Sequence, residues 1–116
     1  MDERIEKAFG VANYMATLSN QRRVILEEFN QQLIYYSNGG TFKISQELIV
    51  FVKAMIELGY TTDVPILDAN NLPILVSDVQ EFFDEIVSKY FESLNNYASK
   101  YNDIKSKRKV EDIVRL

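Results

Sequence analysis

The chain has 116 residues, a net charge of −4, and neither cysteine nor histidine. That length gives one domain with a modest core, and the missing residue types exclude disulfides, thiolate metal sites and cysteine nucleophiles. They also remove the commonest general base and zinc ligand, and the acidic balance leaves no global basic field to hold nucleic acid.

Seven Phe and seven Tyr make the composition aromatic-rich, which argues against disorder. The start, Met1-Asp2-Glu3-Arg4-Ile5-Glu6-Lys7, is charged and mixed, unlike a signal peptide. The longest apolar run, Leu48–Val52, stops at Lys53, short of the roughly 20 residues a membrane span needs. The expected setting is therefore the cytoplasm, away from a membrane.

Residues 1–36 read as a long first helix. Apolar positions fall at Ile5, Ala8, Ala12, Met15, Leu26, Phe29, Leu33 and Tyr36, in the alternating four-and-three spacing of a heptad seam. Ser19 and Arg22 interrupt that seam, while Val11, Leu18 and Ile25 widen the apolar stripe. Such a helix would run roughly 50 Å at 1.5 Å per residue, longer than a domain of this size is wide. Either it breaks near Ser19-Asn20, or one end packs on another chain. Ser37-Asn38-Gly39-Gly40 reads as the stop signal after Tyr36.

Thr41–Ile44 alternates like a short strand. Ser45 suits a helix N-cap, and Leu48, Phe51, Val52, Met55 and Ile56 recur at helical spacing, which predicts a helix over 46–58 ended by Gly59. Two β-rich runs then flank Asp68-Ala69-Asn70-Asn71 and predict a hairpin over 64–76. Pro65 and Pro73 cannot donate to a ladder, so both strands should be short or edge-like. An isolated ribbon is marginal in water, so this one must lean on the helices or take Thr41–Ile44 as a third strand.

The last helix is predicted over 77–108, opened by a Ser77-x-x-Gln80 capping box. Its apolar residues run from Phe82 and Phe83 through Tyr90, Phe91 and Leu94 to Tyr97, Tyr101 and Ile104. Residues 109–116 form a tail. The expected fold is α+β and mostly α, a single domain with two long helices, one shorter helix, and a small hairpin between the second and last.

Candidate sites are sparse. The aromatic stripe of the last helix could stack nucleic-acid bases, but rings at helical spacing are the ordinary stuff of cores and interfaces. Tyr97, Tyr101 and Ile104, followed by Lys105, Lys107, Arg108 and Lys109, form the stretch best placed to meet a partner. The basic cluster 105–109 together with Arg22 and Arg23 is also the only material for phosphate contact, though it suits a solvated helix end equally and Arg23 can pair with Glu27. Asp68-Ala69-Asn70 opens like a calcium loop. Pro73 and Val79 stand where that loop needs Gly and Glu, so a turn is the better reading. No catalytic, metal-binding or cofactor-binding constellation is visible.

The stretches Asn13–Arg22, Tyr36–Phe42 and Val64–Glu85 resemble parts of small uncharacterised proteins of contractile-tailed phages that infect marine cyanobacteria. The resemblance implies a viral setting, with the host cytoplasm as the location, and supplies no site residues. The expected function is that of a non-enzymatic structural or interaction protein, an assembly or accessory factor working as a homo-oligomer, with a dimer favoured. The alternative is a nucleic-acid-binding accessory protein that uses 105–109 and Arg22/Arg23.

Overall fold

A computed structural model describes residues 2–106, so most of the basic cluster (Lys107, Arg108 and Lys109) and the tail beyond it lie outside the described residues. The element order is α1 (Glu3–Gln32), β1 (Ile34–Ser37), β2 (Gly40–Lys43), α2 (Gln46–Glu57), β3 (Thr62–Leu67), β4 (Pro73–Asp78) and α3 (Val79–Ser106). The fold is α+β and mostly α. Its contacts divide it into two compact units. A helix-pair unit takes the described residues of Met1–Phe29 and Asn95–Leu116, and a hairpin unit takes Asn30–Leu94.

In the helix-pair unit, α1 is continuous through Ser19 and Asn20. Ala8, Ala12 and Ala16 are strong helix formers, and Thr17 turns its hydroxyl back onto the Asn13 carbonyl at 2.9 Å rather than breaking the chain. The Asp2 carboxylate caps the start by accepting the Arg4 N–H at 3.0 Å. The second half of α3 lies along α1. Phe29 meets the edge of Tyr97 with centroids 4.9 Å apart, and Lys100 donates to both oxygens of Glu28 at 2.6 and 2.7 Å. Leu18 and Ile104 are buried.

The hairpin unit holds two separate antiparallel ribbons, β1–β2 and β3–β4, with α2 and the first half of α3. Here the structure corrects the sequence reading. The first helix stops at Gln32, not Tyr36, because Ile34-Tyr35-Tyr36-Ser37 pairs as a strand with Gly40–Lys43. Asn38 and Gly39 carry positive φ angles of 52° and 80°, as a two-residue type I′ turn requires, so this stretch closes a hairpin rather than capping a helix. Residues 41–43 therefore join that first hairpin and not the β3–β4 ladder.

Helix α2 follows its sequence signals. The Ser45 hydroxyl accepts the Leu48 N–H at 3.1 Å. At the other end Gly59 (φ 90°) sends its N–H to the Ile56 carbonyl while Tyr60 reaches Met55, the two bonds of a Schellman motif. Helix α3 begins at Val79, and its cap is Asp78, which accepts the Glu81 N–H at 3.0 Å. Ser77 stays in β4, one residue before the cap, and its N–H and hydroxyl both lie within reach of Asn38 Oδ1. The core of this unit encloses Phe42, Ile44, Val52, Val76, Val79 and Ile86, with Phe82 edge-on to Phe42 at 5.0 Å.

Asp68 ties the two ribbons together. It is buried, and its carboxylate accepts the N–H groups of Asn70 (2.9 Å), Leu72 (3.0 Å) and Thr41 (3.3 Å). The Ala69 N–H returns a bond to the Thr41 carbonyl at 2.8 Å. Asp68 is a turn residue here and not the start of a cation loop. The Leu72 N–H does most to lower its pKa below the ordinary aspartate value, with Thr41 and Asn70 adding to it and burial opposing. A depressed folded-state pKa stabilises the fold above the unfolded pKa, about 3.9, and that contribution is lost as pH falls through the folded value. Asp68→Asn should therefore lower the melting temperature at pH 7 and flatten the melting temperature's decline as pH falls below about 5, as followed by circular dichroism.

Gly40 is the second point of close approach. A Cβ there would lie 2.5 Å from Ile74 Cγ1, with Cδ1 and Cγ2 within 3.2 Å. Gly40→Ala should cost about 1–3 kcal/mol in denaturant unfolding, and Ile74→Ala in the same chain should recover part of that loss.

Candidate interaction surfaces

Among the residues proposed from sequence to meet a partner, Ile104 is buried and Tyr97 half-buried against Phe29, so both are occupied within the helix-pair unit. Tyr101 stacks on Tyr97 with centroids 6.4 Å apart and planes 7° from parallel, and keeps an exposed edge. Lys105 is exposed at the end of α3. Arg22 and Arg23 are unlike each other. Arg23 is exposed and pairs with Glu27 at 2.9 Å, whereas Arg22 is half-buried and its Nε has no partner among the described residues.

The aromatic stripe of α3 is likewise divided. Phe82 belongs to the hairpin core, Tyr90 receives a bond from Gln46 Nε2 at 3.1 Å, and Phe91 is exposed. No single platform of rings results. Asp63, Asp78, Asp84 and Glu85 are exposed, and among the described residues no cluster of three or more carboxylates is arranged to hold a metal ion. No helix among the described residues is long and apolar enough to cross a membrane.

The most distinctive surface is one that the sequence reading passed over. The β3–β4 ladder pairs Pro65 with Leu75 and Leu67 with Pro73. Val64, Ile66 and Val76 point inward and are buried, whereas Pro65, Leu67, Pro73 and Leu75 alternate with them and point outward. Leu67 is 61% exposed and Leu75 58%, and Leu72 in the turn is 55% exposed. A ribbon with one solvated face normally carries polar residues there, so four apolar residues in two adjacent cross-strand pairs are out of place on a free surface. The signal was present in the sequence: both runs are apolar at odd and even positions instead of alternating.

Proline interrupts both edges of this ribbon. The Asp68 N–H bonds the Leu72 carbonyl, which makes 68–72 a hydrogen-bonded pair. Alternation then makes 66–74 and 64–76 hydrogen-bonded pairs, and 67–73 and 65–75 non-bonded ones. Pro65 and Pro73 both sit in non-bonded pairs, so each directs its ring nitrogen to an outer edge and removes a donor there, one on each strand. On β4 the Ser77 N–H is directed to Asn38 Oδ1 at 3.4 Å, while the Leu75 N–H keeps its outward direction.

Leu67 also joins this face to a cleft of about 310 Å³ lined by Phe42, Leu48, Phe51 and Ile66, with Lys43 and Glu47 at the rim. Phe51 is 45% exposed, so the cleft offers an apolar wall of a size that takes one or two partner side chains.

No protein-family model, no curated protein and no solved structure matches this chain.

The helix pair makes a quantitative expectation. Ile104→Ala should cost about 2–4 kcal/mol in denaturant unfolding, because it opens a cavity beside α1. The Glu28–Lys100 pair is 40% exposed on both sides, so a double-mutant cycle on it should return a coupling of about 1 kcal/mol or less.

Proposed function

We propose that this is a non-enzymatic interaction protein, a small assembly or accessory factor of a contractile-tailed phage, working as a homo-oligomer in the host cytoplasm with the dimer favoured. The observation that carries the reading is the outward face of β3–β4. It is apolar across both cross-strand pairs and continues into the Phe51 cleft, while prolines blunt both edges. Such a face suits a partner protein that lays an apolar surface over it. The rival reading, phosphate contact through Lys105 and its neighbours, has less support. Arg23 is already paired, and Arg22 is half-buried.

Four measurements test this. Sedimentation at tens of micromolar should show a species above the 13.5 kDa monomer, and a pure monomer would remove the homo-oligomer. Leu67→Asp/Leu75→Asp should keep stability within about 0.5 kcal/mol, since both side chains are exposed. The same variant should lose a partner that the wild-type chain retains in native host extract; equal retention by both would remove the hairpin face from the proposal. A single-stranded oligonucleotide titrated at low salt should give a flat anisotropy signal. Steeply salt-dependent binding, abolished by Lys107→Glu/Arg108→Glu, would instead favour the nucleic-acid reading.

A further inference from the structure

The tip of the first ribbon holds the chain's one Asn-Gly pair, Asn38-Gly39. An asparagine side-chain amide is open to attack by the next main-chain nitrogen when glycine follows, because no Cβ on that residue stands in the way. Both residues are exposed. A Cβ built on Gly39 would meet nothing within 4 Å, and no bond to another described residue holds its N–H. Turning the Asn38–Gly39 peptide brings that nitrogen to Asn38 Cγ, and at this tip the movement displaces no packed side chain.

The surroundings of the Asn38 amide are the less ordinary part. Its Oδ1 faces two donors from β4, the Ser77 N–H at 3.4 Å and the Ser77 hydroxyl at 3.3 Å. Its Nδ2 donates to the Ser37 hydroxyl at 2.8 Å. Beside it lies a polar cavity of about 220 Å³, lined by Ser37, Ser77, Asp78 and Glu81 and roomy enough for water.

We propose that Asn38 is a self-processing site, converted in the folded chain to a succinimide and then to aspartate or isoaspartate, with Ser77 polarising the reacting carbonyl. The Gly39 N–H gives its proton to water, and the nitrogen forms a bond to Asn38 Cγ. The carbonyl electron pair moves onto Oδ1, where the two Ser77 donors stabilise the charge as an oxyanion hole does. When that pair returns, the Cγ–Nδ2 bond breaks. Ammonia leaves, taking its proton through the Ser37 hydroxyl, which both accepts and donates. One water then opens the ring. Cleavage at Cγ leaves aspartate at position 38, and cleavage at the main-chain carbonyl leaves isoaspartate. Nothing is oxidised or reduced, and the chain exchanges ammonia for water. Isoaspartate puts an extra methylene into the main chain. The two-residue turn, with positive φ at both Asn38 and Gly39, has no slack for it, so the product loosens the β1–β2 ribbon and its tie to β4.

The test is to age the full chain in warm, mildly alkaline buffer and map isoaspartate by methyltransferase labelling and peptide mass. The product should form at residue 38 before any other asparagine. Its rate in the native chain should equal or exceed that of the same chain unfolded in guanidinium. Ser77→Ala, with its fold checked by circular dichroism, should slow the native reaction about threefold or more, the worth of one neutral hydrogen bond, and leave the unfolded rate unchanged. The purified isoaspartyl form should melt below the unmodified chain. No product at residue 38 in the native chain, or a native rate about tenfold or more below the unfolded one, would overturn the site, because reaction would then need the turn to unfold. An equal or higher native rate in Ser77→Ala would overturn the part given to Ser77, and equal melting would overturn the loosening.

Discussion

A two-stranded ribbon has two faces, and a small chain can rarely cover both. That constraint governs the hairpin unit. Val64, Ile66 and Val76 fill the inward face of β3–β4 and are sealed under the core, while Pro65, Leu67, Pro73 and Leu75 leave the outward face as apolar as the inward one. The same arithmetic holds for α1. Its Leu18 and Ile25 side is taken by α3, and its Ile5 and Phe9 side is left over. Each element carries more apolar surface than its own unit can remove from water. At roughly 25 cal/mol per Å², the surplus is a standing drive toward association.

What makes the surplus presentable is the rigidity beneath it. Asp68 fixes the β3–β4 turn from within by accepting the N–H groups of Asn70 and Leu72, and reaches the other ribbon at Thr41. Gly40 closes against Ile74 so tightly that no side chain fits between them. A free ribbon of two strands would fray and change register. Held at its turn and by its inward residues, this one keeps Leu67 and Leu75 at fixed positions, and the cost of ordering them is met on folding rather than on binding.

Much of the architecture was legible in the sequence, and the failures have identifiable causes. Ser45 and Gly59 delimited α2 because a cap and a Schellman glycine are local devices that tertiary packing seldom overrides. Asn38-Gly39 was misread because the same dipeptide serves a helix end and a type I′ turn. Only the pairing of Tyr35 with Phe42 and Tyr36 with Thr41 decides between them, and that pairing is not local. Ser77 and Asp78 are both competent caps, and the choice fell to Asp78 because β4 keeps Ser77 in the ribbon beside Asn38. The seam read at Ile5, Ala8, Ala12, Met15 and Leu26 is exposed, and Leu33 and Tyr36 fall beyond α1, because spacing does not reveal which side an internal neighbour will take. The partner-facing role read into Tyr97 and Ile104 met the same difficulty, since a half-apolar helix end looks alike whether it faces its own chain or another. The hairpin face went unnoticed because apolar residues at both parities read as a stronger strand signal before they read as an exposed surface.

The two surplus faces differ in their chemistry. The Ile5 and Phe9 side of α1 starts among charges of both signs, Asp2, Glu3 and Glu6 with Arg4 and Lys7 between them. The β3–β4 face carries no charged residue among its four outward side chains, so it has no polarity with which to specify a second copy of itself. Its selectivity must come from shape, through the Leu67 ridge and the adjoining Phe51 cleft.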